Sequence, residues 1–234
     1  MRFASPGPPV TAADPLAALG PYFAVRTGPA PPPGFRPLPE LYDGRGPLAA
    51  RIAEVGRVLG TGEARVAAST AHLGLAARLW SVALGAAVAT GRVADLAGAW
   101  FALPPQGPFD LWVPSGTGPA ATAEVLERTV WDGQLVPLAA AVRAVAPLAP
   151  GLLAGNAASA LVGAARQLGS VPQLRLPAAA LARELLAGPA LAGTGAATAP
   201  GGPLGFRRAS CCLYYRVPSG GLCGDCVFTR PPGR

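Results

Sequence analysis

GEARVAASTAHLGLAARLWSVALGAAVATG, residues 62–91, decides the fold. After Glu63, its only charged or titratable side chains are Arg65, His72 and Arg78, and the rest is alanine, leucine, valine and glycine with one tryptophan and a few hydroxyls. A helix so apolar must be buried over most of its circumference, so it belongs at the centre of a helical domain. The three basic residues must then meet solvent, partners or a cavity.

Working outward, PLAARIAEVGRVL places Leu48, Ile52, Val55 and Leu59 at helical spacing before Gly60-Thr61-Gly62 ends the segment. On the other side, Phe109–Val113 reads as a short strand closed by Pro-Ser-Gly. Helices are predicted over 121–131, 134–146, 152–169 and 177–186. The uncharged stretch from Ala144 to Ala165 has the length of a membrane span, but Pro147, Pro150, Asn156 and Ser159 make it a buried, broken helix pair. The mean hydropathy of +0.37 owes much to alanine.

The expected fold class is therefore mainly α (α+β), a helical domain with a short β segment and a small C-terminal module. The boundaries are a Pro/Gly-rich N-terminal segment at 1–46, the helical domain at 47–187, a Gly/Ala/Pro linker at 188–206 and a cysteine-rich module at 207–234. In the first of these, one helix is predicted over 12–23, opened by Asp14-Pro15. With prolines at 6, 8, 9 and 15 and no apolar run, the N-terminus does not resemble a signal peptide, and a cytoplasmic protein is expected, with the inner membrane face as an alternative.

All 19 Lys+Arg residues are arginine, against 12 acids. From Arg207 onward there are five arginines (207, 208, 216, 230, 234) and one acid, Asp225. No RNP motif, helix-turn-helix or basic-aromatic strand accompanies this charge, so nucleic acid is not an expected partner. No transmembrane segment is expected either.

The same C-terminal stretch, CCLYYRVPSGGLCGDC (211–226), holds every cysteine in the chain. Without an export signal, clustered cysteines point to metal or redox chemistry. The ten residues between Cys212 and Cys223 could hold the two pairs about 33 Å apart if extended. Leu213–Val217 reads as a strand and Pro218–Gly221 as a turn, so a hairpin is expected to bring the thiols together. Cys223-Gly-Asp-Cys226 is a C-x-x-C knuckle suited to one metal centre. Adjacent Cys211 and Cys212 suit a single tetrahedral zinc poorly, which leans the reading toward iron and sulfur. Asp225 reads as a turn residue.

Arg208-Ala-Ser-Cys-Cys-Leu-Tyr-Tyr-Arg followed by Gly221-Leu-Cys-Gly-Asp-Cys closely resembles the CC-x10-C-x2-C signature of FhuF-type ferric-siderophore reductases. The resemblance extends to Ser69-Thr-Ala-His-Leu-Gly-Leu-Ala-Ala-Arg-Leu-Trp and Gly155-Asn-Ala-Ala-Ser-Ala-Leu. It implies a [2Fe-2S] cluster on Cys211, Cys212, Cys223 and Cys226. It also implies one-electron reduction of a ferric siderophore, of the hydroxamate type, fed by a ferredoxin or flavin reductase. His72, Arg78, Tyr214, Tyr215 and Arg216 are the candidate substrate contacts, and Arg207 and Arg208 the candidates for tuning the cluster. Two other readings stand beside it, a zinc-stabilised siderophore-binding or assembly protein and an iron-sulfur electron carrier without its own reductase activity. Arg78 reads first as an ion-pair partner or a cap on a buried carbonyl and only second as a chelate contact, Asn156 as a helix start or a core hydrogen-bond hub, and Trp80, Trp100, Trp112 and Trp131 as core residues, with an exposed one as a stacking surface for a planar chelate.

Overall fold

The computed structural model describes residues 17–43, 46–104, 107–114, 118–198, 204–218 and 220–232. Of the described residues 54% are helical and 9% lie in strands, so the mainly α expectation holds.

The order is β1 (Arg36–Pro37), α1 (Pro47–Leu59), α2 (Ala64–Thr90), β2 (Trp100–Ala102) and β3 (Asp110–Trp112), then α3 (Ala123–Leu126). α3 runs through a π-helical segment, Glu127–Leu135, into α4 (Val136–Val145), and α5 (Pro150–Leu168), α6 (Pro172–Ala187), β4 (Gly195–Thr198) and β5 (Gly205–Arg208) follow. The helices predicted over 121–131 and 134–146 are thus one continuous rod, in which the π turns absorb Asp132-Gly133.

α2 is the axis of the molecule. It packs most extensively on α5, and also on α1, α4 and α6. Small residues permit this. Ala68, Ala71 and Ala76 on α2 and Ala157, Ala158, Ala160 and Ala164 on α5 are buried, while Leu75, Leu79, Trp80 and Leu84 fill the spaces around them. Each fully buried leucine contributes about 1.5–3 kcal/mol. Gly56 brings α1 equally close, since a Cβ there would stand 3.3 Å from that of Ala67. α2 is long and apolar enough to cross a membrane by length and composition, but here 61% of its most apolar window is buried by the rest of the chain. The 144–165 stretch is broken between Val145 and Pro150, as the prolines require.

β1, β2 and β3 form an antiparallel sheet that pairs Arg36 with Phe101 and Trp100 with Trp112. Phe101, Phe109 and Leu111 turn into the core.

Four expectations need correction. The helix predicted over 12–23 lies partly outside the described residues, and its described part is only a 3-10 turn at Ala17–Leu19, ended by Gly20 at φ +110°. The segment expected as a linker, 188–206, contains β4 and the first half of β5, paired from Gly195–Arg208 to Thr198–Gly205. α6 starts at Pro172, five residues early, and carries Pro177 inside it. Leu213–Val217 is not a strand; Tyr214–Arg216 form a 3-10 turn instead.

Candidate metal centre

The cysteine loop leaves β5 at Arg208 and is laid across α2 and α5 by polar contacts. The Arg208 guanidinium, 2% exposed, donates to the carbonyls of Ser210 (3.0 Å) and Leu152 (3.1 Å). Ser210 Oγ donates to Gly151 O at 3.0 Å. Gly155 makes room for both, because a Cβ there would collide with Ser210 Oγ and stand 2.9 Å from Arg208 Nη2. At the next position, Asn156 Nδ2 donates to Ser69 O (2.9 Å) and Oγ (3.1 Å), and Ser69 Oγ donates to Cys212 O at 2.7 Å. This relay ties the cysteine backbone to both helices. The second knuckle is fastened separately, by Arg208 N–H to Asp225 O (2.9 Å) and by an Arg166–Asp225 ion pair of 2.9 Å.

The four cysteines are free thiols, Cys212 buried and the others half-buried. Of the turn expected over 218–221, Ser219 lies outside the described residues; Gly220 N–H bonds Val217 O, and Cys212 and Cys223 Sγ come within 3.4 Å. Each sulfur receives a backbone N–H from two residues ahead. Leu213 donates to Cys211 (3.3 Å), Tyr214 to Cys212, Asp225 to Cys223 and Phe228 to Cys226 (3.4 Å). Leu213 adopts φ +69° to follow this path, a strained value for a branched side chain. The contact with Cys223 pulls the Cys212 thiol down to about 6, and the same contact pushes Cys223 up. Burial raises Cys211. Arg208 stands within electrostatic reach of Cys211, Cys212 and Cys223.

Among the described residues, no three His, Cys, Asp or Glu side chains converge on a point that would hold one metal ion. Four cysteines, each with an N–H directed at sulfur, beside a buried cation, form a donor set suited to the all-thiolate ligation of a two-iron cluster. The residues fit that group.

The candidate contact residues are scattered. Tyr214 lines a pocket of about 200 Å³ with Cys212, Cys223, Ser69, Thr70 and Leu73. Tyr215 meets Phe228 edge to face at 5.9 Å. Arg216 pairs with Glu63 at 2.8 Å just before α2. Arg207 is exposed and donates to Val227 O at 3.0 Å. His72 is 1% exposed and does not line the pocket beside the cysteines.

Arg78 is 1% exposed and donates to the carbonyls of Phe109 (3.0 Å), Tyr22 (2.6 Å) and Ala24, the carbonyl-capping role. Asn156 is a hydrogen-bond hub. Sequence reasoning left Ser69, Gly155 and Arg166 unassigned. Ser69 and Gly155 lie in the two helical motifs that accompany the cysteine signature, which was the one signal available.

A mainly helical domain carrying a thiolate-rich loop braced for iron and sulfur defines the class: an iron-sulfur protein. More particularly, residues 208–228 match the family model described as the FhuF 2Fe-2S C-terminal domain. The match supports a [2Fe-2S] cofactor and is consistent with the FhuF-type ferric-siderophore reductase family. No curated protein and no solved structure matches the chain.

Proposed function

We propose that the chain is a cytoplasmic ferric-siderophore reductase, with Cys211, Cys212, Cys223 and Cys226 as cluster ligands. A [2Fe-2S] cluster bound there supplies a one-electron relay between a protein donor and the ferric chelate. The substrate's Fe(III) takes up that electron and becomes Fe(II), which hard siderophore oxygens hold more weakly, so the iron exchanges to other ligands.

The chain's own groups do the rest. Arg208 places a positive charge beside the sulfurs in a half-buried setting, which favours the more negative, reduced state. The backbone N–H groups act in the same direction. The pocket beside Cys212 and Cys223 leaves the edge of the site open to a chelate, with Tyr214 at its wall. Exposed Arg207 offers a positive surface to an acidic donor such as a ferredoxin or a flavin reductase.

The observation that carries the reading is the set of four N–H-braced thiols, with Cys212 and Cys223 Sγ 3.4 Å apart, on the segment that matches the FhuF 2Fe-2S C-terminal domain. The test is anaerobic purification with iron and sulfide analysis, followed by turnover of a ferric hydroxamate, with reductant and a ferrous-specific chelator. Two irons, two sulfides and Fe(II) release that is lost in Cys212→Ser support the proposal. Cluster without Fe(II) release would leave an electron carrier. Zinc without sulfide would overturn the cofactor as well.

A further inference from the structure

α2 carries a second buried basic residue that no loop uses. His72 is 1% exposed, and neither ring nitrogen has a hydrogen-bond partner among the described residues. Leaving a buried polar group unpaired costs about 1–3 kcal/mol. His72 lines a cavity of about 380 Å³, within the roughly 300–1,000 Å³ range of ligand pockets. Trp131 and Leu135 of the π-helical segment, Ala139 of α4 and Leu153 and Ala154 of α5 form its apolar walls, and exposed Arg143 stands at its rim.

Two independent features mark this cavity. One is the unpaired imidazole, which offers one donor and one acceptor in an otherwise apolar space. The other is the π segment, an uncommon backbone form that recurs at functional sites and here delivers Trp131 to the wall. We infer that this cavity binds a flat ring compound bearing a carbonyl or hydroxyl oxygen at its edge, of the quinone or phenol class, with that oxygen on His72. A neutral imidazole suits either form, giving its N–H to a carbonyl or accepting from a hydroxyl. Apolar walls cover the ring faces, and Arg143 favours an electron-rich ligand.

The site is separate from the pocket at the thiols, yet connected to it. Arg208, which fastens the cysteine loop to Leu152, also acts electrostatically on His72. The inference goes beyond the reductase reading and does not depend on it.

His72 is the only histidine in the chain, so its imidazole gives a single pair of ring-nitrogen resonances in protein labelled with ¹⁵N-histidine and freed of any tag. The oxidised holoprotein is titrated with menadione, which offers only carbonyls, and with 2-naphthol, which offers only a hydroxyl. Saturable binding of either compound should shift the His72 signal, and His72→Phe should weaken that binding about tenfold by calorimetry. Ala154→Leu, which narrows the cavity without touching His72, should do the same. Binding unchanged in both variants would place the compounds elsewhere, and absence of binding would leave an internal void; either result overturns the inference. Fe(II) release plays no part in these readouts, so the two proposals fail separately.

Discussion

The N-terminal loop, residues 17–43, and the cysteine loop after β5 are both irregular segments laid on the α2–α5 core, and each is fastened by one buried arginine. Arg78 holds Tyr22 and Ala24, and Arg208 holds Ser210 and Leu152. What they bury differs. The N-terminal loop inserts Phe23, Leu38 and Leu41, at 3%, 0% and 0% exposure, and adds a bridge from Arg26 to Trp112. The cysteine loop buries little beyond Cys212 and Val217 and relies on polar contacts. Apolar insertion stabilises a loop outright, whereas polar docking nets only about 0.5–1.5 kcal/mol per bond. The second loop is therefore built to be completed by its cofactor, because metal binding doubles as folding energy in such modules.

The strongest way to break this contrast is to remove the cluster. Cys212→Ser should abolish visible absorption and raise amide exchange across 209–232 by about a hundredfold or more, with α2, α5 and the N-terminal loop unchanged. Hydrogen exchange resolved by peptide reads this directly. Protection that survives loss of iron would mean the polar contacts hold the loop alone.

The two arginines come next. Arg78→Met should destabilise the whole domain by about 3 kcal/mol or more, since the buried Phe109 carbonyl and the half-buried Tyr22 and Ala24 contacts lose their donor, and should leave the cluster's potential in place. Arg208→Met should cost less globally but move the potential to more negative values, because a cation near the thiols is gone. Chemical denaturation and redox titration of both variants separate the roles. A potential shift of equal size in both would erase the distinction.

A smaller effect tests the docking relay. Asn156→Ala should cost about 1–2 kcal/mol, and Ser69→Ala about 1 kcal/mol, with faster cluster loss in air for each. The double variant should cost less than the sum of the two, because both act through one hydrogen-bond chain.

This relay marks where the sequence stops being informative. The position of α2, predicted over 62–91 and found at 64–90, follows from a run of apolar residues that only a core helix can carry. The four thiols were legible from their spacing. Ser69 and Cys212 are 143 positions apart, and Ser69 and Asn156 are 87 apart, so no local pattern announces that they touch. The β4–β5 hairpin escaped for another reason. Gly195-Ala-Ala-Thr198 has almost no strand propensity, and its pairing follows from close packing of glycine on Phe206. Leu213–Val217 alternates like a strand, but the N–H groups of Leu213 and Tyr214 are needed at sulfur, and that demand curls the chain into a 3-10 turn.

The smallest effect concerns the residue on α2 that anchors neither loop. Burial, and then the nearby charge of Arg208, lowers His72 to about 3, against about 6.5 in an unfolded chain. The unfolded state therefore binds a proton that the folded state refuses, so stability falls as pH drops through 6.5. With the folded value near 3, about 1 kcal/mol should be lost between pH 6.5 and 5.5 on account of this residue. His72→Phe removes the titration. The difference in unfolding free energy between the two proteins should widen in favour of the variant by that amount over the same interval, while at pH 7.5 the variant should be no less stable, having no unpaired nitrogens to bury. Arg78→Met should show the opposite pattern, a loss that is constant across this interval, because its guanidinium stays charged throughout. A gap for His72→Phe that stays constant with pH would mean the imidazole is protonated or solvated in the native state, and would place it with the two anchors after all.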